Sequence, residues 1–219
     1  MVDLRLYALI DPEHAGGADL AGLGRTLAEA GTTLVQFRDK HGTTRRMIGA
    51  ARAIKTALAP SGVPLLVNDR VDVALAAGAD GVHVGQDDMP AEEARRLLGP
   101  RAIIGLSIKT IAQAEAAPLD ALDYACVGGV FVTRSKNNPD PPIGLAGLRT
   151  VLAVLRARKP RFPVGAIAGI DESNAGEVVA AGADGIAVIS ALSLAPDPAA
   201  AARRLRAIVD RGLDQRGGE

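Results

Sequence analysis

The chain has 219 residues, with 25 lysines and arginines against 25 aspartates and glutamates and a formal charge of zero. No surplus positive charge is available to hold a nucleic-acid backbone or an acidic membrane surface, so neither is expected as a partner. A 48% share of hydrophobic residues excludes disorder, a lone cysteine excludes a disulfide framework or multi-cysteine zinc site, and the opening MVDLRLYALID is no secretory leader, so a cytoplasmic location is expected.

From end to end, short β-type runs alternate with longer stretches rich in Ala, Leu and Arg. The predicted strands are LRLYALI from Leu4, TLVQFRDK from Thr33, PLLVND from Pro64, GVHVGQ from Gly81, AIIGLSI from Ala102, DYACVGGVF from Asp123, FPVGAIAGI from Phe162 and GIAVIS from Gly185. Helical patterns include Ala18 to Ala30, Thr44 to Leu58, Ala91 to Leu98, Leu145 to Leu155 and Pro198 to Val209. Asp197 followed by Pro198 is a good start signal for the last of these. Eight units of about 27 residues suit a single (β/α)8 barrel domain spanning residues 1–219. AGADGVHV from Ala77 returns half a chain later as AGADGIAV from Ala181, an echo that a barrel of two halves would show. The alternative is a doubly wound open sheet, but no G-x-G-x-x-G follows the first strand.

In such a barrel, chemistry belongs at the C-terminal ends of the strands. The second strand ends on Gln36, Arg38 and Lys40, which the period of two places on one face. An amide and two cations there suit an oligophosphate, or form a solvated strand end. Asn68 and Asp69 end the third strand, and Gln86, Asp87 and Asp88 follow the fourth. Carboxylates on adjacent strands suit a magnesium ion shared with a phosphorylated substrate, or else cap the helices that follow. After the sixth strand, the long segment from Thr133 to Pro142 reads as a clamp or lid, its Thr133 and Ser135 hydroxyls and Lys136 ammonium offering donors to an anion. The small-residue corners at Gly169 and at Ile189 and Ser190 make a second anion site. Cys126 reads as a buried thiol and His83 as a structural histidine between two valines.

The segments QFRDK, VNDRVDVALAAGADGVHVGQDD, GLSIKT, TRSK and GIDESNAGEVVAAGADGIAVIS, in this order, closely resemble the thiamine-phosphate synthase family from about Leu6 to Ile208. That family joins 4-amino-5-hydroxymethyl-2-methylpyrimidine diphosphate to hydroxyethylthiazole phosphate with magnesium, giving thiamine phosphate and pyrophosphate. The resemblance implies that Gln36, Arg38, Lys40 and Asn68 hold the pyrimidine diphosphate and that Asp69 and Asp88 bind Mg2+. It also implies that Ser107 lies near the pyrimidine and Lys136 steadies the leaving pyrophosphate, with Arg38, Ser107 and Lys136 as the catalytic set. Thr133 and Ser135, with the backbone of Gly169, Ile189 and Ser190, would hold the thiazole phosphate. The family mechanism is dissociative: pyrophosphate leaves, a pyrimidine-methyl cation forms, and the thiazole nitrogen attacks it. Gly129, Val132, Lys109 and Ala168 depart from the family pattern. Two other readings are a thiazole tautomerase and a non-catalytic barrel that binds a phosphorylated ligand. The sequence leaves the oligomeric state open, a homo-oligomer included.

Overall fold

In a computed structural model, residues 1–133, 135 and 141–217 are described. Eight parallel strands close a barrel in chain order: β1 (Leu6–Ile10), β2 (Leu34–Phe37), β3 (Leu65–Asn68), β4 (Gly81–Val84), β5 (Ile103–Ile108), β6 (Tyr124–Val127), β7 (Val164–Ile167) and β8 (Gly185–Val188). β8 pairs back onto β1, Tyr7 facing Ala187. Helices α1 (Leu20–Glu29), α2 (Thr44–Leu58), α3 (Val71–Ala77), α4 (Ala91–Leu98), α5 (Ile111–Ala116), α6 (Gly144–Arg158), α7 (Ala175–Ala180), α8 (Ser190–Ser193) and α9 (Pro198–Gly217) complete the (β/α)8 fold.

All eight predicted strands are present, but most are shorter than the apolar runs that announced them. The excess residues form the rim, where positive φ at Asp69, Gly129, Ala168 and Gly169 turns the chain out of the sheet. α2 and α4 have their predicted bounds; α9 runs beyond Val209 to Gly217.

Alternation divides the core in two. Leu6, Ala8, Ile10, Val35, Phe37, Val82, Ile104 and Val188 face outward and pack with helix residues such as Leu27, Ile54, Leu152 and Leu205. A smaller cluster, including Tyr7, Leu9, Leu34, Leu66, Tyr124, Cys126 and Ala187, fills the barrel interior. Gly105 makes this filling possible: a Cβ there would lie 2.1 Å from the Tyr124 ring.

At the N-terminal end, one arrangement repeats four times. The residue before each even strand donates its N–H to the carbonyl of the first or second residue of the odd strand alongside. Its side chain accepts the N–H of that odd-strand residue. Thr33 does so with Leu6, Asp80 with Leu65, Asp123 with Ile104 and Asp184 with Val164, the side-chain bonds measuring 3.1, 2.7, 2.8 and 2.9 Å. A helix cation completes three of them: Lys55 on Asp80, Arg95 on Asp123 and Arg156 on Asp184. The AGADG echo is thus the Asp80 and Asp184 copies of this staple.

Candidate active site

At the opposite end, the inward parity that places Tyr7 and Tyr124 inside the barrel also directs Asp11, Gln36, Arg38, Asn68, His83 and Ser107 to its mouth. Asp11, Gln36, Arg38, Asn68 and His83 are buried. On β6, β7 and β8 the matching inward positions are Cys126, Ile167 and Ala187. The mouth is therefore polar on the β1 to β5 side and apolar on the β6 to β8 side.

β2 ends at Phe37, so Arg38 and Lys40 lie just beyond it, although the Arg38 N–H extends the ladder to the Ile10 carbonyl at 2.9 Å. Gln36 donates its amide to the Tyr7 hydroxyl, and Arg38 forms an ion pair with Asp11, which is fully buried. A buried guanidinium against a buried carboxylate is locked in place, because separating them would strand two charges. Lys40 reaches across to Asp69 at 2.5 Å, and Asn68 donates to the same Asp69 oxygen at 2.6 Å.

Asp69 and Asp88 lie close enough for the Asp88 carboxyl to act on that of Asp69. Burial, reinforced by Asp88, holds the Asp69 carboxyl above its ordinary range, while Lys40 opposes the shift. Asp88 accepts the Gly85 N–H at 2.7 Å, whereas its neighbour Asp87 is exposed. Neither Asp69 nor Asp88 serves the helix-capping alternative, since α3 follows Arg70 and α4 follows Pro90 with no side-chain cap. Asp69 has φ 59°, left-handed backbone of a kind that clusters at functional sites. Asp11, Glu13 and His14 also bring ligand atoms within 4.8 Å of one another, but Asp11 there is committed to Arg38.

Beside this charged rim lies a cavity of about 670 Å³, lined by Ser107, Thr133, Ser135, Gly169, Ile189 and Ser190 among others. Lys109, the departure after Ser107, lines it too. The turn after β7 is pinned by Asn174, which donates to the Gly169 carbonyl at 2.9 Å and accepts the Asp171 N–H at 3.0 Å. Ala168, where the family pattern has glycine, carries φ 92° and accepts the Phe131 N–H at 3.1 Å. The Gly129 departure has φ 70°, which a proline ring cannot adopt. Lys136 lies outside the described residues.

The structure thus sorts the expected residues into two groups. Gln36, Arg38, Lys40, Asn68, Asp69 and Asp88 form a hydrogen-bonded and ion-paired rim on β2 to β4, while Ser107, Thr133, Ser135, Gly169, Ile189 and Ser190 line the cavity. Sequence reading passed over Asp11, Asn174 and the tyrosines. Asp11 had a usable signal, being inward and one residue past β1. The tyrosines gave none, because Tyr7 and Tyr124 meet only through barrel closure.

Residues 6–192 match the family model described as thiamine monophosphate synthase. A thiamine-phosphate synthase of Agrobacterium fabrum is 54% identical over 98% of this chain and 98% of its own. Among solved structures, a thiamine phosphate pyrophosphorylase from Pyrococcus furiosus superposes with a TM-score of 0.83 at 37% identity, covering 97% of this chain and 98% of that one. A Mycobacterium tuberculosis tryptophan synthase chain, at 17% identity and TM-score 0.70 over 94% of this chain and 93% of its own, shares the fold alone.

Proposed function

Since the chain belongs to the thiamine monophosphate synthase family, we propose a division of labour at its barrel mouth that serves this family's reaction. It is a transferase that makes thiamine phosphate from the pyrimidine diphosphate and the thiazole phosphate. The observation that carries the division is the split between an ion-paired rim on β2 to β4 and a separate cavity lined by hydroxyls and backbone, with Lys109 at its wall. Two phosphorylated substrates need two anion sites side by side, and these are two such environments opening at one mouth.

On the rim, Arg38, Lys40 and Asn68 present donors to the diphosphate, with Asp11 holding Arg38 in register and Gln36 below at the pyrimidine. The facing carboxylates of Asp69 and Asp88 are hard oxygen donors held together despite like charge, and a divalent cation fits that pair. We assign them to Mg2+, which when bound neutralises charge on the diphosphate. In the cavity, Thr133, Ser135 and the backbone of Gly169, Ile189 and Ser190 take the thiazole phosphate, and Ser107 stands between the two sites beside the pyrimidine.

Chemistry then requires the bond from the pyrimidine methylene carbon to the diphosphate oxygen to break, its electron pair leaving with pyrophosphate. The thiazole nitrogen supplies the pair that forms the new carbon–nitrogen bond. No protein nucleophile is required. Arg38 and Lys136 stabilise the departing charge, and the apolar β6 to β8 side keeps water from the electron-poor carbon. We propose the cytoplasm as the compartment, in keeping with the biosynthetic family to which the chain belongs. Among the described residues no helix is long and apolar enough to cross a membrane.

The test mixes purified protein, Mg2+ and both phosphorylated substrates and follows thiamine phosphate and pyrophosphate. Equimolar appearance of the two is expected. Isomerisation of a thiazole carboxylate phosphate instead, or binding without turnover, would establish one of the two alternative readings, for which the comparisons give no support.

A further inference from the structure

From the barrel interior to the cavity, five side chains from five strands form one continuous hydrogen-bonded chain, buried up to its last member, the half-buried Ser107. Gln36 Nε2 donates to the Tyr7 hydroxyl, which lies 2.9 Å from the Tyr124 hydroxyl. The Tyr124 hydroxyl lies 2.8 Å from His83 Nδ1, and His83 Nε2 lies 2.9 Å from Ser107 Oγ. Burial pushes both phenols far above their ordinary range, so each keeps its single proton.

With the Gln36 amide as the donor at its head, counting protons along this chain gives it one direction. Tyr7 receives the Gln36 amide proton, so its own proton goes to Tyr124. Tyr124 passes its proton to His83 Nδ1, which must therefore be the bare nitrogen. His83 then carries its proton on Nε2 and donates it to Ser107 Oγ. Ser107, having accepted from below, directs its own hydroxyl proton elsewhere, and it lines the cavity.

We propose that His83, Tyr124 and Tyr7 are positioning residues that fix Ser107 as a hydrogen-bond donor toward a ring nitrogen of the pyrimidine substrate. This rests on the reading above that Ser107 meets the pyrimidine. The relay makes the site selective for a heteroaromatic ring that offers a lone pair there, since a ring with an N–H at that position would meet a second donor. Gly105 is part of the device: its missing Cβ lets the Tyr124 ring lie across the barrel between Tyr7 and His83.

Two measurements test it. Long-range proton–nitrogen correlation spectra of the free protein report which ring nitrogen of His83 is protonated, with His83→Gln identifying the signal. Protonation at Nε2 is expected, and protonation at Nδ1 overturns the relay. Steady-state kinetics with both substrates should show Tyr124→Phe raising KM for the pyrimidine diphosphate by roughly 5- to 20-fold while KM for the thiazole phosphate changes by less than about 2-fold. His83→Leu should behave likewise. His83→Gln, whose amide N–H reaches the place of Nε2, should stay within about 3-fold of the wild type.

An unchanged pyrimidine KM in both Tyr124→Phe and His83→Leu overturns the proposal, as does an equal rise in both KM values, which marks a merely structural role. Should Tyr124→Phe not fold, Tyr7→Phe breaks the same chain one link earlier and carries the same expectation. A wild type that makes no thiamine phosphate would sink the functional reading, while the protonation state of His83 would still report on the relay's direction.

Discussion

The two ends of this barrel use similar residues for opposite ends. At the N-terminal rim, Asp80, Asp123 and Asp184 each accept a strand N–H and a helix cation, leaving no acceptor facing its like. At the C-terminal rim, Asp69 and Asp88 face each other, and Asp69 sits on left-handed backbone. Aspartates that complete the backbone's hydrogen bonding stabilise the fold. Aspartates brought side by side, even with Lys40 on one of them, are held there by the fold and stand ready for a ligand. Asp11 belongs to both classes, being fully buried against Arg38 yet at the mouth.

The largest effect that would sharpen this contrast is expected from Lys136, which stands in the TRSK segment. Lys136→Ala should slow the chemical step by roughly 10²- to 10³-fold in single-turnover measurements, with little change in thermal stability. A normal chemical step in that variant would remove Lys136 from the departing pyrophosphate.

Next come the facing carboxylates. Asp69→Ala and Asp88→Ala should each lower turnover by roughly 10²-fold or more and shift the magnesium titration, whereas exposed Asp87→Ala should do much less. Because Asp69 holds its proton above the usual carboxylate range, cation binding must release that proton. Magnesium should therefore bind more tightly as pH rises through the acid range and level off above it. Isothermal titration at several pH values reads this directly, and a pH-independent affinity would contradict it.

The opposite rim should give the opposite pattern. Asp80→Ala and Asp184→Ala each leave a strand N–H without its side-chain acceptor, which costs about 1–3 kcal/mol by denaturant unfolding while kcat stays near wild type. Asp80→Asn keeps the acceptor and should lose less. If these variants lose turnover while keeping stability, the contrast between the two ends fails.

Ala168→Gly is expected to have the smallest effect. Relief of a positive φ should raise stability by about 0.5–1 kcal/mol, seen as a higher Tm. A lower Tm would show that the Ala168 methyl packs well enough to outweigh the strain.

The eight strands were legible in sequence because alternation and turn residues repeat at nearly even spacing. Their ends were not, since apolar rim residues such as Val130 and Ile189 continue the strand pattern while the backbone has already turned. α3, α5 and α7 span only six or seven residues, too few for a helical period to declare itself. Arg38, Asp69 and Asp88 stood out because charge at a strand end is conspicuous, and Gln36 because the period of two puts it on the Arg38 face. His83 reads as a satisfied core histidine, and it is satisfied. What its flanking valines could not disclose is that one of its hydrogen-bond partners is Ser107, a residue at the site.

The fourfold staple also has a consequence for how the chain is divided. Three copies join an even-numbered helix to the odd and even strands after it, so α2 belongs with β3 and β4, α4 with β5 and β6, and α6 with β7 and β8. The remaining pair, β1 and β2, takes its helix from the far end of the chain: Arg206 of α9 reaches the Gly31 carbonyl at 2.8 Å, and Asp210 pairs with Arg5. Three quarters of the barrel are therefore contiguous modules, and the fourth is assembled from both extremes of the sequence. A circular permutant that joins α9 to β1 and opens just before α2 would turn the molecule into four uninterrupted modules in tandem.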